Sequence, residues 1–207
     1  LTGGRVADRI CLVGAGVIAR NIAEFFAAQS WSVDHFVVHD RGASYAAALA
    51  RRITDLGYRA EQEDSFERAT ADADIVVFAT TAPQPWVTRT DAFAPGQTVL
   101  NISLRDLGPE IVASAQNILD DVDHCLTANT SPHLAEQRLG HRDFIDGTLA
   151  QVLRGKVTPA ADRPRIFSPF GLGVLDLAVG QRLYRQAVEK GLAVLVPGFF
   201  GETQRWS

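Results

Sequence analysis

Short apolar runs alternate with helical periodicities along most of this chain. "ICLVG" (10–14), "VDHFVVHD" (33–40), "DIVVFATT" (74–81) and the run inside "APGQTVLNIS" (94–103) are nearly continuous in apolar residues. That is the pattern of strands buried on both faces of a sheet. Between the first two, residues 17–29 repeat apolar positions at helical spacing, with Ile18, Ile22, Phe25 and Phe26 expected on one side. Residues 43–57 predict a second helix closed by Gly57. "YRAEQE" predicts a third, short strand, and "SFERATADA" a short helix with Ser65 as its N-cap. "NILDD" (117–121) is a weaker strand, 122–155 is helical and irregular, and "RPRIFSP" (163–169) is extended. A long helix fits 172–190, closed by Gly191, and "LAVLV" (192–196) reads as a last strand. The alternation predicts an α/β fold: a doubly wound, mostly parallel sheet with helices on both faces, the Rossmann arrangement.

Composition adds only exclusions. Of the 207 residues, 46% are hydrophobic and 21% charged, which suits a globular domain with a sizeable core. Net charge is −4 with the basic residues scattered, so no nucleic-acid footprint is expected. No apolar run is long enough to cross a bilayer and no signal peptide is visible, so neither a membrane nor secretion is expected. Cys11 and Cys125 have no metal-like spacing, and a reduced, cytoplasmic protein is the simplest expectation. Asp120, Asp121 and Asp123 with His124 read as a solvated loop with capping aspartates, and no metal site is expected. Methionine is absent, position 1 included.

The first chemical signal is "GAGVIA" (14–19), a G-x-G-x-x-A pattern where a strand ends and a helix begins. Gly14 permits a tight turn, Gly16 lets a pyrophosphate approach the backbone, and Ala19 lets helix pack closely on strand. The first turn, through Ala15, Val17 and Ile18, then offers unpaired N–H groups and a partial positive charge to phosphates. Asp40, at the end of the second strand, is placed to accept hydrogen bonds from the adenosine ribose, unless it only caps its turn. Its charge disfavours a 2′-phosphate and so favours NAD over NADP, although Arg41 beside it pulls the other way. "ATTAPQP" (79–85) follows the fourth strand, where ligands of such sheets lie, so Thr80 and Thr81 are candidates beside the dinucleotide.

A second signal is "IFSPFGLGVLDLAVG" (166–180), in which Gly171 and Gly173 stand at a helix mouth. Bare backbone there suggests a close approach, either of a ligand or of helix on sheet.

Together with "VLNISLRDLGPEIV" (99–112) and "GHRDFIDGTLAQVLRG" (140–155), these motifs make the chain resemble the ornithine cyclodeaminase/mu-crystallin family over nearly its whole length. Within that family it is most similar to the dehydrogenases of 2,3-diaminopropionate biosynthesis, which act on N-(2-amino-2-carboxyethyl)-L-glutamate in siderophore and peptide-antibiotic pathways. The resemblance implies that Asn101, Ile102 and Ser103 border the nicotinamide, as do Ser168 and Pro169. It implies that Asp106 is the acid–base residue; the alternative for Asp106 is a helix cap before "GPEIV". It further implies NAD as cofactor, a small amino-acid substrate, and a homodimer where the family's N-terminal region is present. That region builds a substrate and dimerisation domain, and no segment here matches it. The expected division is therefore a Rossmann domain over 1–190 and a C-terminal strand and tail over 191–207 that returns to the substrate domain. The expected function is NAD-dependent cleavage of the substrate to 2-oxoglutarate and L-2,3-diaminopropionate, with this chain carrying the cofactor half. Ornithine cyclodeamination, ketimine or imine reduction, and a non-catalytic nucleotide-binding role remain as alternatives.

Overall fold

In the computed structural model, residues 1–199 are described. Eight strands form one sheet in the order β3-β2-β1-β4-β5-β8-β6-β7, and all the strand pairings are parallel. The strands are β1 (Val6–Val13), β2 (Ser32–His39), β3 (Ala60–Gln62), β4 (Ile75–Phe78), β5 (Thr98–Asn101), β6 (Gln116–Leu119), β7 (Ile145–Thr148) and β8 (Arg165–Ser168). The helices are α1 (Val17–Ala28), α2 (Ala43–Asp55), α3 (Phe66–Thr70), α4 (Pro109–Ser114), α5 (Val122–Cys125), α6 (Ser131–Leu139), α7 (Leu149–Leu153) and α8 (Gly173–Glu189).

Strand pleating divides the core into two layers. Ile10 and Leu12 of β1 and Ile75 and Val77 of β4 pack with α1 and α2 on one face. Their neighbours Cys11, Val13, Val76 and Phe78 pack on the other face with residues of α3, α4 and α6. Successive side chains of a strand point to opposite faces, so a strand buried in both layers must be apolar throughout. All four residues of β4 are buried. The winding reverses between β1 and β4, which leaves a crevice above their carboxyl ends.

Three local expectations are corrected. α1 presents Ala19, Ala23 and Phe26 to the core, while Ile18 and Phe25 are exposed. The small residues at i and i+4 let the helix lie close to the sheet, which keeps Ile22 half-buried against the core and leaves Ile18 and Phe25 in solvent. β7 lies inside the stretch expected to be helical and irregular. Its sequence, Ile-Asp-Gly-Thr, lacks a strand's apolar run, and its place is set by parallel pairing with β6. Residues 192–196 form no strand and are exposed, since no described strand pairs with them.

The chain divides into a compact unit from Leu1 to Phe170 and a second from Gly171 onward. The second unit contains α8, which runs to Glu189 and is followed by Gly191 at φ 65°. No residue of α8 is buried, and its large apolar residues, among them Leu177 and Leu183, are exposed. Of the expected C-terminal tail over 191–207, residues 200–207 lie outside the described residues.

Asn117 ties the far side of the sheet together. Its side-chain amide, fully buried, donates to the carbonyls of Val112, Ala115 and Phe144 at 2.6–3.1 Å. Replacing Asn117 with Ala strands these acceptors away from water, so urea unfolding is expected to show a loss of about 2–3 kcal/mol.

Candidate dinucleotide site

The glycine turn is built by close approach. The Gly14 N–H donates to the His39 carbonyl at 2.8 Å, and the Ala79 N–H donates to the Val13 carbonyl at 2.8 Å. These bonds draw the ends of β1, β2 and β4 together. Gly14 has φ 98°, and a Cβ there would stand 2.5 Å from the Ala79 carbonyl oxygen. Both the conformation and the space demand glycine. Gly16 serves differently. It is the N-cap of α1 in extended conformation, and a Cβ on it would meet nothing within 4 Å. The first turn of α1 holds no acidic residue and no side-chain cap. Its leading N–H groups have no carbonyl one turn earlier to pair with, so they face out ready for an anion.

Beside this turn lies a cavity of about 730 Å³, lined by Gly14, Ala15, Gly16, Asp40, Arg41, Thr80 and Thr81 together with His39, Tyr45 and the 82–86 segment. Seven expected residues therefore meet around one space. Val17 and Ile18 are exposed in the first turn of α1 and are not among the lining residues. Asp40 is engaged on both oxygens: Oδ2 accepts from the Ala15 N–H at 2.8 Å and Oδ1 from the Gly42 N–H at 2.7 Å. It caps its turn and anchors the glycine loop at once. A carboxylate has about four acceptor positions, so capacity for ribose hydroxyls is left over.

Asp106 is fully buried. Its Oδ1 accepts from the Thr80 hydroxyl and from the Trp86 indole N–H, both at 2.6 Å, and its Oδ2 accepts from the Ser103 hydroxyl. The main-chain carbonyl of Asp106 takes the N–H groups of Trp86 and Val87. The residue does not cap a helix, since the N-cap of α4 is Gly108. Nor is it among the residues that line the cavity, although its partners Thr80 and Trp86 are. Nothing in the sequence marks Trp86, which lies 20 residues from Asp106 in the chain. Only an indole beside a threonine-rich strand end could have hinted at it.

The remaining expected residues form a separate group at the ends of β5 and β8. The Asn101 side-chain amide donates to the Ser168 hydroxyl at 3.1 Å, with both residues buried, and Ile102 and Pro169 are half-buried nearby in the chain. The Cys125 thiol lies 3.0 Å from both the Ser168 carbonyl and Asp120, which share its single proton. Burial, together with the Asp120 carboxylate, pushes that thiol up to about 12. Asp120 also accepts from the Phe170 N–H, and Asp121 caps α5 through the His124 N–H. Asp121 is thus a helix cap, Asp120 a clasp on the chain after β8, and Asp123 pairs with Arg142. Among the described residues no group of three His, Cys, Asp or Glu side chains is arranged to hold a metal ion, and no helix is long and apolar enough to cross a membrane. Gly171 has φ 103° while a Cβ on it would meet nothing within 4 Å. Its backbone conformation favours glycine, and no protein atom crowds the position.

Residues 3–128, which hold the glycine turn, the cavity and the Asp106 cluster, match the family model for shikimate / quinate 5-dehydrogenase. The chain belongs to that family. The match spans the sheet from β1 through β6 and leaves out β7, β8 and α8. Over a longer stretch the chain is similar to a Delta(1)-pyrroline-2-carboxylate reductase of Bacillus cereus. The two are 24% identical over 202 residues, which cover 90% of this chain and 59% of the relative. The chain thus spans about three fifths of the length of the curated relatives it matches. The Thermococcus litoralis Delta(1)-pyrroline-2-carboxylate reductase, solved with NADH and L-proline, superposes with a TM-score of 0.83 at 22% identity, covering 92% of this chain and 61% of that one. A lysine cyclodeaminase superposes at 0.69 and 15% identity, covering 92% and 56%. This chain therefore shares its fold with both of these enzymes over the matched residues.

The two glycines should separate cleanly by mutation. Gly14→Ala forces a left-handed alanine against the Ala79 carbonyl and is expected to cost about 2–4 kcal/mol in urea unfolding. Gly16→Val, facing open space, is expected to stay within about 1 kcal/mol of wild type.

Proposed function

We propose that this chain carries the cofactor half of an NAD-dependent oxidoreductase acting on a CH–NH bond of an amino-acid substrate. One observation carries the reading: the cavity closes on a glycine turn in which Gly14 cannot bear a side chain and Gly16 opens onto empty space at a helix N-terminus. Gly16 and the first turn of α1 would hold the pyrophosphate, and Asp40 the adenosine ribose. Arg41 borders that end of the cavity. When bound, the nicotinamide accepts or gives up a hydride. The protein's share is to orient the ring, exclude water and handle the proton that accompanies oxidation of an amine to an imine.

The substrate reading we favour is N-(2-amino-2-carboxyethyl)-L-glutamate. Removal of hydride from the C–N carbon of its glutamate moiety, loss of a proton and addition of water give 2-oxoglutarate and L-2,3-diaminopropionate. The motifs "NISLRD", "GHRDFIDGTLAQVLRG" and "IFSPFGLG" support it through the resemblance they carry, with Asn101, Ile102, Ser103, Ser168 and Pro169 on the nicotinamide side. Asp106 is the acid–base residue on this reading. Its enclosure means that a proton reaches it across the hydroxyl of Thr80 or Ser103. A second reading, reduction of a cyclic imino acid, is favoured by similarity to the Delta(1)-pyrroline-2-carboxylate reductases. Both run the same bond chemistry, in opposite directions. Incubating the complete protein with each substrate and following NADH absorbance separates them, and turnover of the cyclic imine alone would overturn the first. A homodimer is part of the proposal where further polypeptide supplies the interface.

Cofactor titration tests the shared part. NADH is expected to bind more tightly than NADPH, because the Asp40 carboxylate repels a 2′-phosphate. Asp40→Ala should weaken NADH about tenfold or more and narrow the gap, since it removes ribose contacts and the anchor on the Ala15 N–H. Gly16→Val should abolish binding with the fold retained. Equal affinity for the two cofactors in the wild type would refute the role given to Asp40.

A further inference from the structure

A carboxylate has no proton to donate, so each hydroxyl that bonds to it must be the donor. The Thr80 hydroxyl therefore spends its single proton on Asp106 Oδ1, at 2.6 Å. The Trp86 indole N–H holds the same oxygen at 2.6 Å and the Ser103 hydroxyl holds the other. Asp106 is fully buried, so water does not compete for these bonds. Of the two lone pairs on Thr80 Oγ1, one takes the Ala82 N–H at 3.2 Å. That leaves Thr80, which lines the cavity, one lone pair and no proton to offer a ligand.

We propose that Asp106 is a positioning residue that fixes the Thr80 hydroxyl as an acceptor for a ligand hydroxyl, the ribose on the nicotinamide side of the dinucleotide. The inference rests on the dinucleotide reading above and names a contact within it. The chemistry follows from the fixed proton: a phosphate or carbonyl oxygen brings a lone pair against a lone pair and is repelled, while a hydroxyl donor is welcomed. The choice of ribose follows from topology. Asp40 stands at the end of β2 and Thr80 just past the end of β4, on opposite sides of the glycine turn that ends β1. With the adenosine ribose at Asp40 and the pyrophosphate over the turn, the second ribose reaches Thr80. The role is separate from any proton transfer during turnover, because it acts in cofactor binding alone.

The test uses the 207-residue chain and three probes, NADH, ADP-ribose and ADP, titrated calorimetrically. Thr80→Val removes the hydroxyl and keeps the shape. It is expected to weaken NADH and ADP-ribose about five- to tenfold, the worth of one hydrogen bond, and to leave ADP unchanged, since ADP lacks the second ribose. Thr80→Ser should recover most of the affinity. Asp106→Asn puts an amide N–H₂ among three converging donors and turns the hydroxyl away. It should weaken the same two probes, and Asp106→Asn with Thr80→Val should be no worse than Thr80→Val alone. Equal losses for all three probes, or no loss for Thr80→Val, would overturn the assignment. So would unchanged affinities in a folded Asp106→Asn variant. If Asp106→Asn does not fold, the Thr80→Val and Thr80→Ser pair decides. Failure of the wild type to bind NADH or ADP-ribose at all would instead refute the dinucleotide reading.

Discussion

The approach of Gly14 to the Ala79 carbonyl is the constraint on which the site depends. A parallel sheet that winds outward in both directions from β1 and β4 leaves a crevice where those strands end. The crevice is usable only if the chain leaving β1 turns sharply enough to start α1 over it. Gly14 makes that turn at φ 98°, in space where even a methyl group would collide with backbone. The hydrogen bonds from Gly14 to His39 and from Ala79 to Val13 lock the neighbouring strand ends at the same level. Everything that lines the cavity is positioned from this junction: Asp40 through β2, Thr80 through β4, and the first turn of α1 through the turn itself.

A second level of order is electrostatic. Two buried or half-buried carboxylates are used as hubs for donors. Asp40 gathers the N–H groups of Ala15 and Gly42 and so fixes the loop against the end of β2. Asp106 gathers two hydroxyls and an indole, and through them stiffens the wall formed by residues 80–86. Phe66 and Phe78 back that wall by edge contacts with Trp86, at centroid distances of 4.8 and 6.2 Å. Apolar packing thus holds the indole where its N–H meets the carboxylate. A hydrogen bond in such a setting is protected from water, and its geometry is set before any ligand arrives.

Asp120 performs a similar service at the far end of the sheet. It receives the Phe170 N–H, and it shares the proton of the Cys125 thiol with the Ser168 carbonyl. The chain leaving β8 is fixed at the last residue before the second compact unit begins. Residues around Asn101 and Ser168 are therefore held in place although they lie outside the cavity beside the glycine turn. In this acidic run Asp121 caps α5 and Asp120 clasps the chain leaving β8.

The sequence alone determined what depends on near neighbours in the chain. Seven of the eight described strands were legible in the sequence, most of them as continuous apolar runs, because residues that feed both core layers must be apolar throughout. The G-x-G-x-x-A turn, Asp40 and the threonines after β4 were legible because strand-end chemistry is local, and both glycines, Asp40 and both threonines meet at the cavity. Tertiary structure decided the rest. Pairing with β6 made a strand of Ile145–Thr148, where the residues themselves carry no strand signal. Lack of a pairing strand among the described residues left the apolar residues 192–196 outside the sheet. Helix docking turned Ala19, Ala23 and Phe26 onto the sheet with Ile22 half-buried beside them, and left Ile18 and Phe25 of the expected row in solvent. The surroundings of Asp106 are the clearest case. Its three side-chain partners come from positions 80, 86 and 103, brought together by β4, β5 and the loops that follow them. No periodicity encodes that convergence, because it exists only once the strands lie side by side.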